Sequence, residues 1–419
     1  MKSRSNERLL LVFLTSYTAQ QVVNMGLEIY LESRDISEYF DGIIFVNPVA
    51  QLQYDSKLRP AESYPSIKKI DDRLIFIEGG IGQQNLKRHS SKFRFLWAQL
   101  SLIVTLLRTG YLRKVVLVRG EDPRVAGLYA YLFSRLLHLK LVIGTWGNPN
   151  RIRLDTGGPM TPRLFNKNQS EMRLEKFILS RAAVNLIQNR DNKEYLLSMG
   201  VSENTIEYSP LGVGISPQHY LEVEVRRQVI LQESNFLKNS SPKIVFLSRL
   251  EEVKLWRDIL RVAIDLRHKN LEYELFIIGD GSGREEIQEI INKEGLNDFC
   301  HVLGNRDQDW IANFLTHIDL ALAPLMGRAL LEIALSGSPV IAYDVDWHSE
   351  IVINDATGRL IPYGDYRGMA DAVIELIQDQ QKIVEMSLKI RELGLKIANP
   401  SAHKISQKRL YERLLSESG

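Results

Sequence analysis

Short apolar runs alternate along the whole chain with longer stretches of helical period. In the first half the runs are residues 9–14, 43–46, 74–77, 115–118, 141–143, 183–187 and 206–208. In the second half they are 244–247, 275–278, 301–303, 320–323, 340–343 and 360–361. Most are near-continuous in Val, Ile and Leu rather than alternating, which is how strands covered on both faces read. Between them, residues 254–267 place Leu255, Ile259, Val262 and Leu266 on one helical face, and 284–294 and 369–378 keep the same period. Repetition of strand and helix predicts an α/β architecture with parallel sheets.

The 419 residues suit two domains, because single cores stop growing at roughly 250–300 residues. Periodicity breaks in the polar stretch 222–241, and a fresh strand starts at Lys243. The expected division is a first α/β domain over 1–211, a linker over 212–242, and a second α/β domain over 243–399. A last helix over 400–419 is a candidate to pack back on the first domain.

Composition narrows this picture. Hydrophobic residues make up 44% and charged residues 25%, a globular balance, and the net charge of +2 offers no global field for nucleic acid. The lone cysteine, Cys300, cannot form an internal disulfide and reads as a buried strand residue in a reducing, cytoplasmic compartment. Lys2, Arg4 and Arg8 before the run at 9–14 imitate a signal peptide, but the short run reads better as a first strand. The most membrane-like stretch, 96–107, is interrupted by Gln99, Ser101 and Thr105.

The candidate chemistry lies mostly in the second half. In KIVFLSRLEEVK, Arg249 and Lys254 stand where a parallel strand ends and its helix begins. Ligands bind at that edge of open α/β sheets, and two cations beside helix-start amides suit a diphosphate. Two solvated surface cations are the plain alternative. In ELFIIGDGSGREEI, Gly279, Gly281 and Gly283 form either a nucleotide-approaching turn or an ordinary tight one. In LALAPLMGRALLEIALSGSPVIAYD, Gly327 permits close approach of an anion to a helix start. Glu332, on that otherwise apolar helix, needs a partner: ribose hydroxyls or a neighbouring cation. Asp344 and Asp346 read as a strand-end turn rather than a metal site. Lys87, Arg88, Lys92 and Arg94 interleave with His89, Phe93, Phe95 and Trp97, so an anionic membrane surface is a candidate partner.

These blocks together resemble the retaining glycosyltransferases of the GT-B fold, family 4 (glycosyl transferases group 1). The resemblance rests on the spacing of Arg249 and Lys254, GDGSGR, VLGNR, GRALLEIALSGSPVIAYD and, in the first half, EKFILSRAAVNLIQNRDNKEYLLSMGV. It implies two Rossmann-like domains facing across a cleft, the first acceptor-side and the second binding a nucleotide sugar. It further implies that Arg249 and Lys254 hold the donor diphosphate, Glu332 the ribose, and Gly304, Asn305 and Arg306 the base, with Gly327 and Arg328 also at the donor. Glu350 matches a recurrent acidic position. The expected activity is transfer of a sugar from a nucleoside diphosphate to a glycan or lipid-linked acceptor, with retention and without a metal or cofactor. The expected location is cytoplasmic, peripheral to a membrane. The chain departs from the family at Pro324, where a glutamate is usual, at Ser16-Tyr17-Thr18 in place of a glycine pair, and at Gly144-Thr145-Trp146-Gly147, which lacks a usual histidine. A sugar-nucleotide epimerase or hydrolase on the same fold, or a non-catalytic binding subunit, are the alternatives.

Overall fold

The computed structural model describes residues 7–24, 28–50, 65–79, 91–161, 165–209, 215–229 and 240–416. The chain forms two compact units, Met1–Gly214 with Pro400–Gly419, and Ile215–Asn399.

Unit 1 is built on an eight-stranded sheet of β1 (Leu9–Phe13), β2 (Gly42–Asn47), β3 (Ser66–Lys69), β4 (Leu74–Glu78), β5 (Val115–Gly120), β6 (Leu141–Thr145), β7 (Val184–Ile187) and β8 (Ile206–Tyr208). The order is β3-β4-β2-β1-β5-β6-β7-β8, parallel throughout except for β3 against β4. Alternate residues of β1 enter different cores. Leu9, Leu11 and Phe13 pack with Val118, Ile143 and Ile178, whereas Leu10 and Val12 pack with Phe45, Val142 and Tyr411. Both faces are covered, which is why these strands read as unbroken apolar runs. β3 has no such run. It is an edge strand with Ile67 exposed and Lys68 and Lys69 in sequence, a composition that discourages further edge pairing.

Unit 2 has six parallel strands, β9 (Lys243–Leu247), β10 (Glu274–Ile278), β11 (Cys300–Gly304), β12 (Leu320–Ala323), β13 (Val340–Tyr343) and β14 (Gly358–Ile361). Their order, β11-β10-β9-β12-β13-β14, reverses direction between β9 and β12. In open α/β sheets, ligands bind beyond the carboxyl ends of the strands at such a reversal.

Two sequence expectations shift. Residues 215–228, read as part of a linker, belong to unit 2. Arg226 is fully buried and donates to Ala312 O at 2.6 Å, Ser336 Oγ at 3.1 Å and Leu335 O at 3.1 Å. The segment looks like a linker in sequence because its polar groups bond inward. The helix expected from 254 starts later. Glu252–Lys254 is a single 3-10 turn, Leu255 is left-handed at φ 55°, and the helix runs Trp256–His268.

The helix Pro400–Ser416 lies in unit 1, with Leu410, Tyr411 and Leu414 in the core beside Leu10 and Phe40.

Candidate functional site

The carboxyl edge of the unit 2 sheet gathers the candidate residues. Arg249 lies just beyond β9 and is exposed, and Lys254 closes the 3-10 turn that follows. The glycine turn after β10 packs against this loop. Ser248 N–H donates to Ile278 O at 3.0 Å, Leu250 N–H to Asp280 O at 3.0 Å, and Gly283 N–H to Leu250 O at 2.8 Å. A Cβ on Gly279 would stand 1.9 Å from Ser248 O, and one on Gly281 would stand 2.7 Å from Leu250 O. Gly279 also has a φ of 135°. Backbone packing therefore accounts for these glycines: they hold the Arg249 loop in place.

Lys254 is held below the ordinary lysine range. Burial disfavours its charge and Arg249 repels it, while Asp346 works in the opposite direction. Asp346 follows β13 and is itself left-handed, at φ 51°. The next turn is pinned by His348, which is fully buried. Its Nδ1 lies 2.8 Å from Tyr343 O, and its Nε2 lies 3.0 Å from Met326 N and 3.2 Å from Met326 O. Bonding of Nδ1 to a carbonyl and Nε2 to the amide is satisfied by a neutral ring protonated on Nδ1. His348 thereby ties the loop after β12 to the end of β13.

That loop carries Gly327, where an added Cβ would meet nothing within 4 Å. Neither packing nor a left-handed backbone demands glycine there, so the position leaves open space at the start of the helix Ala329–Ser336. Glu332 on that helix is 2% exposed, and Arg328 Nε donates to its Oε1 at 3.0 Å. Burial raises the Glu332 carboxyl, and Arg328 and then Gln308 oppose the rise. The cation partner weighed from sequence is thus present. On the other side of the edge, Gly304 is left-handed at φ 71° and accepts from Gly279 N at 2.9 Å. Asn305 and Arg306 are exposed, and the Arg306 guanidinium lies 5.0 Å from the Trp310 ring centre.

Sequence reasoning missed His348, and His219 as well. His219 is fully buried, and burial, Arg226 and Arg328 push its imidazole down to about 3. A histidine in a polar stretch gives no sign of burial, so neither was legible. Burial pushes the Cys300 thiol up to about 12. No cluster of three or more His, Cys, Asp or Glu side chains able to hold a metal occurs among the described residues.

In unit 1 the carboxyl edge presents Thr15, whose Oγ1 donates to Asp122 at 3.0 Å, and Trp146, whose Nε1 donates to Glu121 at 3.0 Å. The indole folds back over Gly144, where a Cβ would stand 2.2 Å from the ring. Lys87 and Arg88 lie outside the described residues, and Lys92 and Arg94 fall in the first turn of the helix Ser91–Arg108. No helix among the described residues is long and apolar enough to cross a membrane.

Residues 229–393 match the family model described as glycosyl transferases group 1. The alpha-D-kanosaminyltransferase of Streptomyces kanamyceticus is 23% identical over 297 residues, covering 68% of this chain and 74% of that protein. The 2-deoxystreptamine glucosyltransferase of the same organism is 23% identical over 216 residues, covering 50% of this chain and 55% of that protein. HepE of Anabaena, solved with UDP and with UDP-glucose, superposes at a TM-score of 0.66 with 15% identity. In the UDP complex the match covers 98% of this chain and 100% of that one. Sucrose-phosphate synthase of Thermosynechococcus elongatus superposes at 0.72 with 14% identity over 98% of this chain and 100% of that one. The fold is that of the GT-B glycosyltransferases, with two Rossmann-like units.

Proposed function

We propose that this chain is a glycosyltransferase that moves a sugar from a nucleoside diphosphate to an acceptor hydroxyl, with retention of configuration and without a metal. The observation that carries the reading is that Arg249 and Lys254 follow β9 and Gly327 follows β12, the two neighbouring strands between which the sheet order reverses, with Gly327 leaving open space at a helix start. Two cations and helix-start amides there match a diphosphate. As the bond between the sugar and the diphosphate oxygen breaks, the leaving diphosphate gains negative charge, which Arg249 and Lys254 stabilise. The new bond forms from the acceptor oxygen to the same sugar carbon. The leaving phosphate takes the acceptor proton, so no separate protein base is required. Glu332, already held by Arg328, accepts from the ribose, and Gly304, Asn305 and Arg306 flank the base.

The acceptor in this reading is a glycan or a lipid-linked molecule met at the cytoplasmic face of a membrane. Phe93, Leu96, Trp97, Leu100, Val104 and Leu107 are exposed along the helix Ser91–Arg108, next to the basic run that begins at Lys87. An apolar stripe beside cations suits an anionic surface.

A thermal-shift panel of UDP, GDP and their sugar conjugates, each with and without EDTA, tests the reading. A ligand bound only by the folded state raises the melting temperature. The expected result is a shift with one diphosphate and its sugar that survives EDTA, with transfer activity equally resistant. Loss of both, restored only by magnesium or manganese, would assign the charge-stabilising role to a metal.

A further inference from the structure

The chain leaves the sheet abruptly after β12. Ala321 N–H donates to Pro339 O at 2.9 Å, and Ala321, Leu322 and Ala323 pair with Val340, Ile341 and Ala342. The same register carried further would set Leu325 N–H on Tyr343 O. That carbonyl is taken instead: Val345 N–H donates to it at 2.9 Å, and His348 Nδ1 lies 2.8 Å from it. The other ring nitrogen reaches back to the departing strand, with Nε2 3.0 Å from Met326 N and 3.2 Å from Met326 O. Met326 is 1% exposed and His348 is fully buried, so neither bond can be exchanged for one to bulk water. An aliphatic side chain could fill the same space, but it would leave Met326 N–H unpaired.

Gly327 follows Met326, and the helix follows at once. Leu330 N–H donates to Gly327 O at 3.0 Å and Leu331 N–H to Arg328 O at 2.9 Å. The helix Ala329–Ser336 has no side-chain cap at its start. Amides at a helix start act on an anion only when aimed at it, and the Met326 peptide is where the direction of this turn is fixed. We infer that His348 is a positioning residue for the donor diphosphate: by accepting from Met326 N–H, its neutral ring sets the turn at Gly327 and aims the helix start at the phosphates. The inference rests on the donor-site reading. His348 acts through Met326 and touches no ligand itself.

Isothermal titration of the full chain with UDP and with GDP, below the melting temperature of each protein, tests it on His348→Asn and His348→Gln. The asparagine amide takes the place of Nδ1 and can keep the bond to Tyr343 O, but it does not reach Met326. The glutamine carbonyl extends to the place of Nε2 and can accept from Met326 N–H. His348→Asn should bind the diphosphate that the parent binds about tenfold or more weakly, the scale of leaving one buried N–H unpaired. His348→Gln should recover most of that affinity. In steady-state kinetics the loss in His348→Asn should fall on the donor KM and spare the acceptor KM. Lower melting temperatures in both variants with unchanged affinity would make His348 a stabiliser of the fold alone and overturn the inference. Equal weakening in both would trace the effect to the volume of the ring and overturn it too. Hydrogen exchange on the parent needs no variant to fold. Bound diphosphate should slow exchange over residues 324–332 and 343–349 together, and protection confined to the first segment would count against His348. A parent that binds neither UDP nor GDP would remove the donor-site reading itself, and this inference with it.

Discussion

Arg249 and Glu332 are proposed to hold the same donor by contacts that respond differently to the reaction. Arg249 is exposed on a loop that the glycine turn supports, and it faces charge that grows during bond cleavage. Its contact strengthens in the transition state, so Arg249→Ala should lower kcat by about 10²–10³-fold. Glu332 faces a ribose whose charge does not change, so Glu332→Gln should mainly raise the donor KM. Steady-state kinetics with donor varied and acceptor saturating separates the two, with circular dichroism confirming that both variants fold. Intact kcat in Arg249→Ala with abolished turnover in Glu332→Gln would reverse the assignment and make Glu332 a catalytic carboxylate. Residue types and spacing made both positions visible in sequence. The Arg328 hydrogen bond to Glu332 was foreseen only as an unnamed cation, because one helical turn of separation allows a pair without requiring it.

At the scale of elements, the helix Ser91–Arg108 is apolar on more than the face it buries. Ala98, Leu102 and Leu106 are buried in unit 1, while Leu96, Leu100 and Leu107 are exposed. Sequence periodicity blurs when both faces are apolar, so the sequence shows an apolar helix with a basic start but not which of its faces is buried. Replacing Lys87, Arg88, Lys92 and Arg94 with Ser should release the protein from anionic vesicles, since each cation near such a surface contributes about 1 kcal/mol. Co-sedimentation at low and high salt measures this. The parent should pellet at low salt and release at high salt, whereas equal pelleting of parent and variant would count against membrane attachment. The glycine turn after β10 shows the opposite limit of pattern reading. Gly279, Gly281 and Gly283 look like a nucleotide loop in one dimension, yet the backbone oxygens they must clear belong to Ser248 and Leu250 of the neighbouring loop.

On the scale of the whole molecule, the last helix completes a unit that the chain began nearly its full length earlier. Tyr411 is fully buried, donates to Arg34 O, and packs its ring 4.9 Å from that of Phe40. Gln407 Nε2 donates to Ser33 O at 3.0 Å, and its Oε1 accepts from Ser37 N at 3.2 Å. Arg34 in turn pairs at 2.7 Å with buried Glu121. Burial works to raise that carboxyl, but Arg119 and Arg34 outweigh burial and hold it below its usual range. Tyr411→Ala should cost about 3–5 kcal/mol, as large aromatic truncations in cores do. In scanning calorimetry with UDP present, that loss should lower the transition of unit 1 and leave the ligand-raised transition of unit 2 in place. A common downward shift of both would show that the units unfold together. The sequence alone determined the α/β class, the strands that make unbroken apolar runs, and the position of Arg249 and Lys254 at a strand's carboxyl end. These follow from local period and from where polar residues interrupt it. Only the tertiary structure decided that residues 215–228 belong to unit 2, that Ser66–Lys69 pairs as an edge strand, and that His348 joins the ends of β12 and β13. The unit assignment and the His348 link to Met326 depend on contacts between residues well separated in the chain, and no local pattern encodes which distant partner a polar side chain meets; the short polar strand Ser66–Lys69 lacks the apolar run by which the other strands are read.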